Sequence, residues 1–414
     1  MAAIGLAFLY ATGIIYFVEL GLALVGVRWN VWNVSAIAGI VACGGWWLTR
    51  AGARTESPRH TKLTLIDLAT LLTLATYALH ATIARVWEWD FWAIWGLKAR
   101  VFFEAGTIDW RFLESRWNDF AHPDYPLLLP LNYVYVALLG GGWNDRWLGL
   151  VTVAFGAALL LIVRDLAASE AKPEAKPEAK PWIASTIAFA ATAFALTNVI
   201  GPAEGPLIAF AGAAVLYLRR AILFDDQAAM RHGALLAGLA AATKNEGLAL
   251  LITIVIALAL SKPRLILRMW PAFVIALPWG IVRAIHRFPT DLARGSFIAR
   301  LSERAGSSGR IAALLVQNLA GRWIWVGILV ALLVVPRQFR ARERFVFLVF
   351  MIQIAIYVAI YLGTPYGAEW QIETTWPRLS AQLATPLLVV VMLMLARTFA
   401  PEDDLAHAEA RPDH

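Results

Sequence analysis

The stretch Trp87–Pro126 reads WEWDFWAIWGLKARVFFEAGTIDWRFLESRWNDFAHPDYP. It is rich in tryptophan, carries both carboxylates and bases, and ends in a His-Pro-Asp-Tyr-Pro turn. Its flanks are unlike it. An apolar run rises to it from a basic loop, and hydrophobic segments follow almost to the end of the chain. A charged, Trp-rich island between apolar segments reads as a loop on one face of a membrane, here with Asp90 at its centre.

Composition agrees. The chain has 414 residues, of which 60% are hydrophobic and 16% charged, and its mean hydropathy is +0.63. Soluble domains carry about 25% charged residues. The apolar residues fall in runs of about 17–25, the length that crosses a bilayer core as helix. The expected class is an all-α, polytopic membrane protein in contact with the lipid bilayer. An outer-membrane barrel would alternate apolar and polar positions instead. Cys43 is the single cysteine, which excludes a disulfide within the chain and a cysteine-rich metal site. The net charge of +7 is read as loop bias toward the cytoplasm, with no nucleic-acid partner, because no basic-aromatic groove motif accompanies it.

Charge placement sets the expected topology. Residues 1–62 hold two added helices, about Ala2–Gly26 and Val31–Leu48, and a loop with Arg50, Arg54, Arg59 and Lys62. Short basic loops stay cytoplasmic. Ala2–Gly26 is read as a retained span, being too long and too weakly basic at its start for a cleaved signal peptide. Residues 63–396 form the main transmembrane domain. Its first span, about Leu63–Arg85, releases residues 87–145 outside as a large first loop containing interfacial helices. Within that loop Pro126–Gly142 is apolar but short, and is expected to be interfacial or re-entrant. Nine further spans follow, the last three at about Ile311–Val335, Phe345–Leu362 and Leu379–Ala396, for about twelve in all with both termini inside. Residues 165–181 form a cytoplasmic linker whose EAKP repeat is stiff and solvated. Residues 397–414 are expected to be a disordered cytoplasmic tail. One loop breaks the charge rule: His286–Arg310 falls outside yet carries Arg287, Arg294, Arg300, Arg304 and Arg310.

On this topology Asp90, His122, Asp124, Tyr125, Glu204, Lys244, Glu246 and Arg378 all fall on the outer side, with Lys98 and Arg100 close to Asp90 in sequence. A carboxylate within reach of a hydroxyl acts as a general base. Fixed cations stabilise a departing phosphate. Together they suit transfer of a group off a lipid phosphate, and the lipid accounts for an intramembrane enzyme. Plainer readings stand beside these. Asp90 can end a helix at the interface, His122 can cap the turn before Pro123, Lys244 can snorkel to water, and Arg378 can anchor the interface. The tryptophans suit an interfacial belt. Glu19, inside the first span, is either functional or packed on a neighbour's hydroxyl.

Five pieces in order resemble the GT-C superfamily of integral-membrane glycosyltransferases, in the branch of the protein O-mannosyltransferases and the lipid A aminoarabinose transferase. They are Trp89-Asp90, His122-Pro123-Asp124-Tyr125-Pro126, Ala203-Glu204-Gly205-Pro206-Leu207, Thr243-Lys244-Asn245-Glu246-Gly247 and Pro377-Arg378-Leu379. The resemblance covers about residues 61–396. It implies a polyprenyl-phosphate-linked sugar as donor and a glycan, lipid or protein as acceptor. It implies Asp90 as catalytic base, Glu204 as a second catalytic acid, and Lys244 and Arg378 as phosphate holders. Many members have Asp where this chain has Glu204, one methylene longer. Some branches need a divalent metal and others do not, so the metal stays open here.

The expected activity is thus inverting sugar transfer to an acceptor hydroxyl on the outer face of a bacterial-type inner (plasma) membrane. A transporter or flippase of a lipid-linked or anionic substrate is the rival. It would show a charged path across the membrane and internal pseudo-repeats, and the sequence has neither. A non-catalytic assembly partner would hold Asp90 and Glu204 far apart.

Overall fold

A computed structural model describes residues 1–50, 62–83, 88–170, 179–197, 200–288, 290, 296–320 and 323–399. Arg54, Arg59, Trp87, Arg294, the EAKP repeat at 171–178 and the tail from 400 onward lie outside the described residues.

Among the described residues the chain is helical throughout, without strands. α1 (Ala2–Leu24), α2 (Val31–Arg50) and α3 (Leu65–Ile83) come first. The segment that follows holds a π-turn at Phe91–Trp95, α4 (Gly96–Ala105), α5 (Trp110–Glu114), a 3-10 turn at Arg116–Ala121 and α6 (Leu128–Leu139). Then come α7 (Asp145–Glu170), α8 (Ala179–Ala195), α9 (Glu204–Phe224), α10 (Gln227–Ala241) and α11 (Asn245–Ser261). A 3-10 turn at Pro263–Met269 leads into α12 (Trp270–His286). The last third holds α13 (Phe297–Arg304), α14 (Ser308–Ala320), α15 (Trp323–Val334), α16 (Arg337–Arg342), α17 (Arg344–Gly363) and α18 (Ala368–Thr398).

Helix is what such a sequence must form in lipid, because every backbone N–H and C=O has to be satisfied within its own segment. Among the described residues seven helices are long and apolar enough to cross a membrane: Ala2–Leu24, Leu65–Ile83, Asp145–Glu170, Glu204–Phe224, Pro263–His286, Arg344–Gly363 and Ala368–Thr398. The sequence led us to expect about twelve. The difference has physical causes. α10 has 15 residues and α11 has 17, which gives about 22–26 Å of helix against a hydrocarbon core of about 30 Å, and α8 is described only from Ala179 onward. The expected span at 311–335 is broken: residues 297–318 and Trp323–Val334 meet at 97°.

One other expectation shifts. The last span was placed at Leu379, but α18 starts at Ala368 and runs through Pro377 and Pro386. Ile372 and Trp376 are buried, so packing holds this first part helical despite the missing donor at Pro377. α6 is only 12 residues long, and its residues Leu128–Val134 are buried in the bundle. It packs against α1 and α4.

The core is built on α7, α9, α10 and α18. α9 and α10 form a hairpin whose turn is closed by Asp226, its side chain accepting from the Ala229 amide at 2.9 Å. α10 and α11 form a second hairpin. Here Gly247 packs on the Ala240 carbonyl so closely that no Cβ would fit. These two turns set the registers that bring distant charges together.

Charges gather in two layers, one at each end of α9, and α18 contributes to both. At one end lie Glu204 and Arg378. At the other, Arg219 holds both oxygens of Glu343 at 2.6 Å and also pairs with Glu170. Arg397 lies 3.6 Å from Glu343 and 3.8 Å from Glu170. At 1.5 Å per residue, these two charged layers are about 22 Å apart along α9 and about 28 Å along α18.

Candidate functional site: an alternating charge cluster

Five charged side chains from four segments meet at the first of these ends. Asp90 precedes the π-turn. Glu204 opens α9, Lys244 and Glu246 sit at the tip between α10 and α11, and Arg378 projects from α18. Arg378 Nη1 lies 2.5 Å from Asp90 Oδ2 and 3.4 Å from Glu204 Oε1. Lys244 Nζ lies 3.0 Å from Glu204 Oε1 and 2.9 Å from Glu246 Oε1. The order is acid, base, acid, base, acid. Each cation is shared by two carboxylates, which is how buried charge is tolerated at all.

Burial grades across the cluster. The Glu204 side chain is 1% exposed and that of Lys244 7%, whereas Asp90 and Arg378 are 24% and 23% exposed. Glu204 and Lys244 therefore form the fixed floor. Asp90 and Arg378 face the approach side. Glu88 belongs to the same field: burial lifts its carboxyl above the ordinary value, Arg378 opposes this, and Asp90 and Glu204 add to it.

The His122–Pro126 turn forms a second group beside the first. His122 sits at φ 51° in the left-handed region, which costs energy in a non-glycine residue and persists only when its surroundings fix it. They do so here. Its carbonyl accepts from Lys98 Nζ at 3.0 Å, and its ring stacks on Tyr125, which stacks on Trp95. The Lys98 ammonium lies 5.1 Å from the Trp95 ring centre and 5.7 Å from that of Tyr125. Burial pushes the Lys98 amine down to about 7, with Asp124 pulling the other way. Burial raises the Asp124 carboxyl, against the lowering effects of Asn245, His122, Lys98 and Arg283. Asn245 Nδ2 donates to Asp124 Oδ2 at 2.8 Å, and Trp279 Nε1 donates to the Asp124 carbonyl at 3.0 Å. Asn245 stands between Lys244 and Glu246, so this bond ties the turn to the tip that carries them.

The residues chosen from sequence thus separate into three sets. Asp90, Glu204, Lys244, Glu246 and Arg378 form one connected cluster. Lys98, His122, Asp124 and Tyr125 form the adjoining turn. Arg100 joins neither: it pairs with Glu104 one helical turn away at 2.9 Å, on an exposed face. Glu88, Asn245 and Trp279 went unread. Asn245 had a visible signal, since it lies inside the Lys-Asn-Glu-Gly tip. Glu88 was masked by its tryptophan neighbours, and Trp279 sits in an apolar run where nothing sets it apart. Three arginines of the loop that broke the charge rule have protein partners: Arg300 and Arg304 donate to the carbonyls of Gly363, Thr364 and Tyr366, and Arg310 pairs with Glu369.

Among the described residues no group of three or more His, Cys, Asp or Glu side chains is placed to hold a metal. The cluster's carboxylates are interleaved with cations, which does not suit a divalent ion. No family model, curated protein or solved structure matches this chain.

Proposed function

We propose that the protein is a membrane-embedded inverting glycosyltransferase of GT-C type that takes sugar from a polyprenyl-phosphate donor. The observation that carries this reading is the shared position of Arg378 between half-exposed Asp90 and buried Glu204. A phosphate entering from the approach side competes with Asp90 for the guanidinium. Arg378 carries five N–H donors and can hold a phosphate while keeping Glu204. Asp90 is then freed as a base for the acceptor hydroxyl.

The step is a single displacement. Asp90 takes the hydroxyl proton. The acceptor oxygen forms a bond to the anomeric carbon as the bond from that carbon to the phosphate oxygen breaks. Polyprenyl phosphate leaves with the electron pair, held by Arg378 and Lys244. One displacement inverts the anomeric centre. Glu204 keeps both cations in place, and the Asp124–Asn245 bond holds the tip in register.

A finer topology goes with this reading. α1, α2, α3, α7 to α12, the bent α14–α15 pair, α17 and α18 serve as about twelve crossings, the short α10 and α11 being accommodated by local thinning of the bilayer, with both termini inside. α6 stays within the outer half. The support is the two charged layers at opposite ends of α9, both of which α18 joins. In this arrangement residues 87–145 face outward, and the site works on the outer face of an inner (plasma) membrane.

The test is transfer in proteoliposomes of purified protein. Polyprenyl-phosphate sugars are offered with glycan, lipid and peptide acceptors, and the anomeric configuration of the product is determined. Transfer with inversion is expected. Transfer with retention, or export of a lipid-linked substrate without any transfer, would overturn the reading.

A further inference from the structure

Beneath the charge cluster, three polar stripes face one another inside otherwise apolar helices. α17 contributes Gln353, Tyr357 and Tyr361, whose spacing of four keeps them on one face. α18 contributes Arg378, Gln382 and Thr385, at intervals of four and three. α11 contributes Glu246 and, two turns on, Thr253. Below Arg378 and Glu246 these side chains are neutral and buried. Their contacts step downward. The Tyr361 hydroxyl meets that of Thr375 at 2.9 Å, Tyr357 donates to Gln382 Oε1 at 2.7 Å, and Thr253 donates to Gln353 Oε1 at 2.5 Å. Thr385 lies about 10 Å below Arg378 along α18.

Gln353 is hydrogen-bonded to Tyr357 as well as to Thr253. Among the described residues Gln382 Nε2 and Thr385 Oγ1 are buried without a hydrogen-bond partner. At the top, Glu204 Oε2 and Glu246 Oε2 are in the same condition. Turning the Gln382 amide over exchanges its nitrogen and oxygen but still leaves one end unmatched. The column therefore presents an amide N–H and a hydroxyl below and carboxylate acceptors above. Folded proteins satisfy nearly all such groups, because an unmatched buried donor or acceptor is costly. A ligand for this column must accept from amide N–H, donate to carboxylate oxygen and fit between packed side chains. Water meets all three conditions.

We infer that the seam between α11, α17 and α18 binds a file of ordered water that enters at the level of Arg378 and Glu246 and ends blind at Thr385 and Gln353. Beyond that level α18 continues as Pro386-Leu387-Leu388-Val389-Val390-Val391, which offers no side-chain partner to water. The file solvates the free oxygens of Glu204 and Glu246 from beneath and opens no route across the bundle. It stands independently of the glycosyl-transfer reading.

Radiolytic hydroxyl-radical labelling of the wild-type protein in proteoliposomes, read by mass spectrometry, tests it, since radicals form from water held beside a side chain. Tyr357 and Tyr361 are expected to be modified several-fold faster than Phe155 and Phe210, which are fully buried in the apolar core. Equal rates would overturn the file. Sidedness is read with Thr385→Cys in a Cys43→Ser background, with Thr253→Cys as the substitute should that variant fail to fold. Silver ions are expected to react from the outer side alone. Reaction from both sides would replace the blind file with a path across the membrane, as a transporter requires.

Discussion

Arg378 on α18 lies 2.5 Å from Asp90 and 3.4 Å from Glu204, although 288 positions separate it from Asp90 in the chain. One guanidinium thus links the half-exposed start of the first loop region to the buried start of α9. Both carboxylates keep a cation partner because the helix registers on either side are fixed by tight turns.

Lys244 completes the floor of the cluster, and its removal is expected to be costly. Lys244→Met leaves Glu204 buried with one long contact to Arg378. Losing one partner of a buried pair destabilises by about 3–5 kcal/mol. Thermal unfolding in detergent checks this. Adding Glu204→Gln to Lys244→Met is expected to restore part of the loss, because the most deeply buried carboxylate is then neutral and only the more exposed Glu246 is left without its cation.

The tie between the turn and the tip is smaller but separable. Asn245→Ala removes the donor to Asp124, whose carboxyl is buried. The expected cost is about 1–3 kcal/mol, with a larger effect on transfer than on folding because Lys244 and Glu246 lose their register. Unfolding midpoints and transfer rates measured on the same preparation separate the two effects.

Lys98 gives a pH signature. Its amine is held near 7 in the fold, against an ordinary 10.5. Between those values the unfolded chain binds a proton that the fold does not, so this group makes stability rise as pH climbs from about 7 toward 10.5. Asp124, raised above its ordinary 3.8, acts in the opposite sense, its contribution falling as pH rises through its own folded value. Lys98→Met is expected to abolish the alkaline rise. Unfolding midpoints of wild type and variant at pH 7 and above measure the difference.

At the far end of the bundle, Arg219 serves structure alone. Arg219→Met leaves Glu170 and Glu343 buried with only the longer contacts to Arg397, and is expected to destabilise by about 3–5 kcal/mol. Transfer per folded molecule is expected to stay unchanged. A loss of transfer without a loss of stability would contradict the assignment of the two layers to separate tasks.

How much of this was legible in the sequence varied with the kind of signal. Apolar runs reported helix class directly, because lipid leaves the backbone no other option. The five clustered residues were found because each interrupts an apolar run or a Gly/Pro break, where a charge stands out. Span count was harder. α10 carries Arg231 and His232 and is short, so its membership depends on packing against α9 rather than on its own hydropathy. The 97° break between α14 and α15 falls at Gly321-Arg322, a signal that averaging hydropathy over the whole apolar run smooths away. The lower layer around Arg219 was hidden for another reason: arginines at span ends look like loop bias, and only the fold reveals that Glu170 and Glu343 enclose this one.

The most direct test of the central claim is the rate of sugar transfer by Asp90→Asn against wild type, in proteoliposomes, with folding verified by the unfolding midpoint. Asn keeps the shape and loses the base. A fall of about 10²–10⁴-fold is expected, with the protein still folded. Transfer at the wild-type rate by folded Asp90→Asn protein would contradict it.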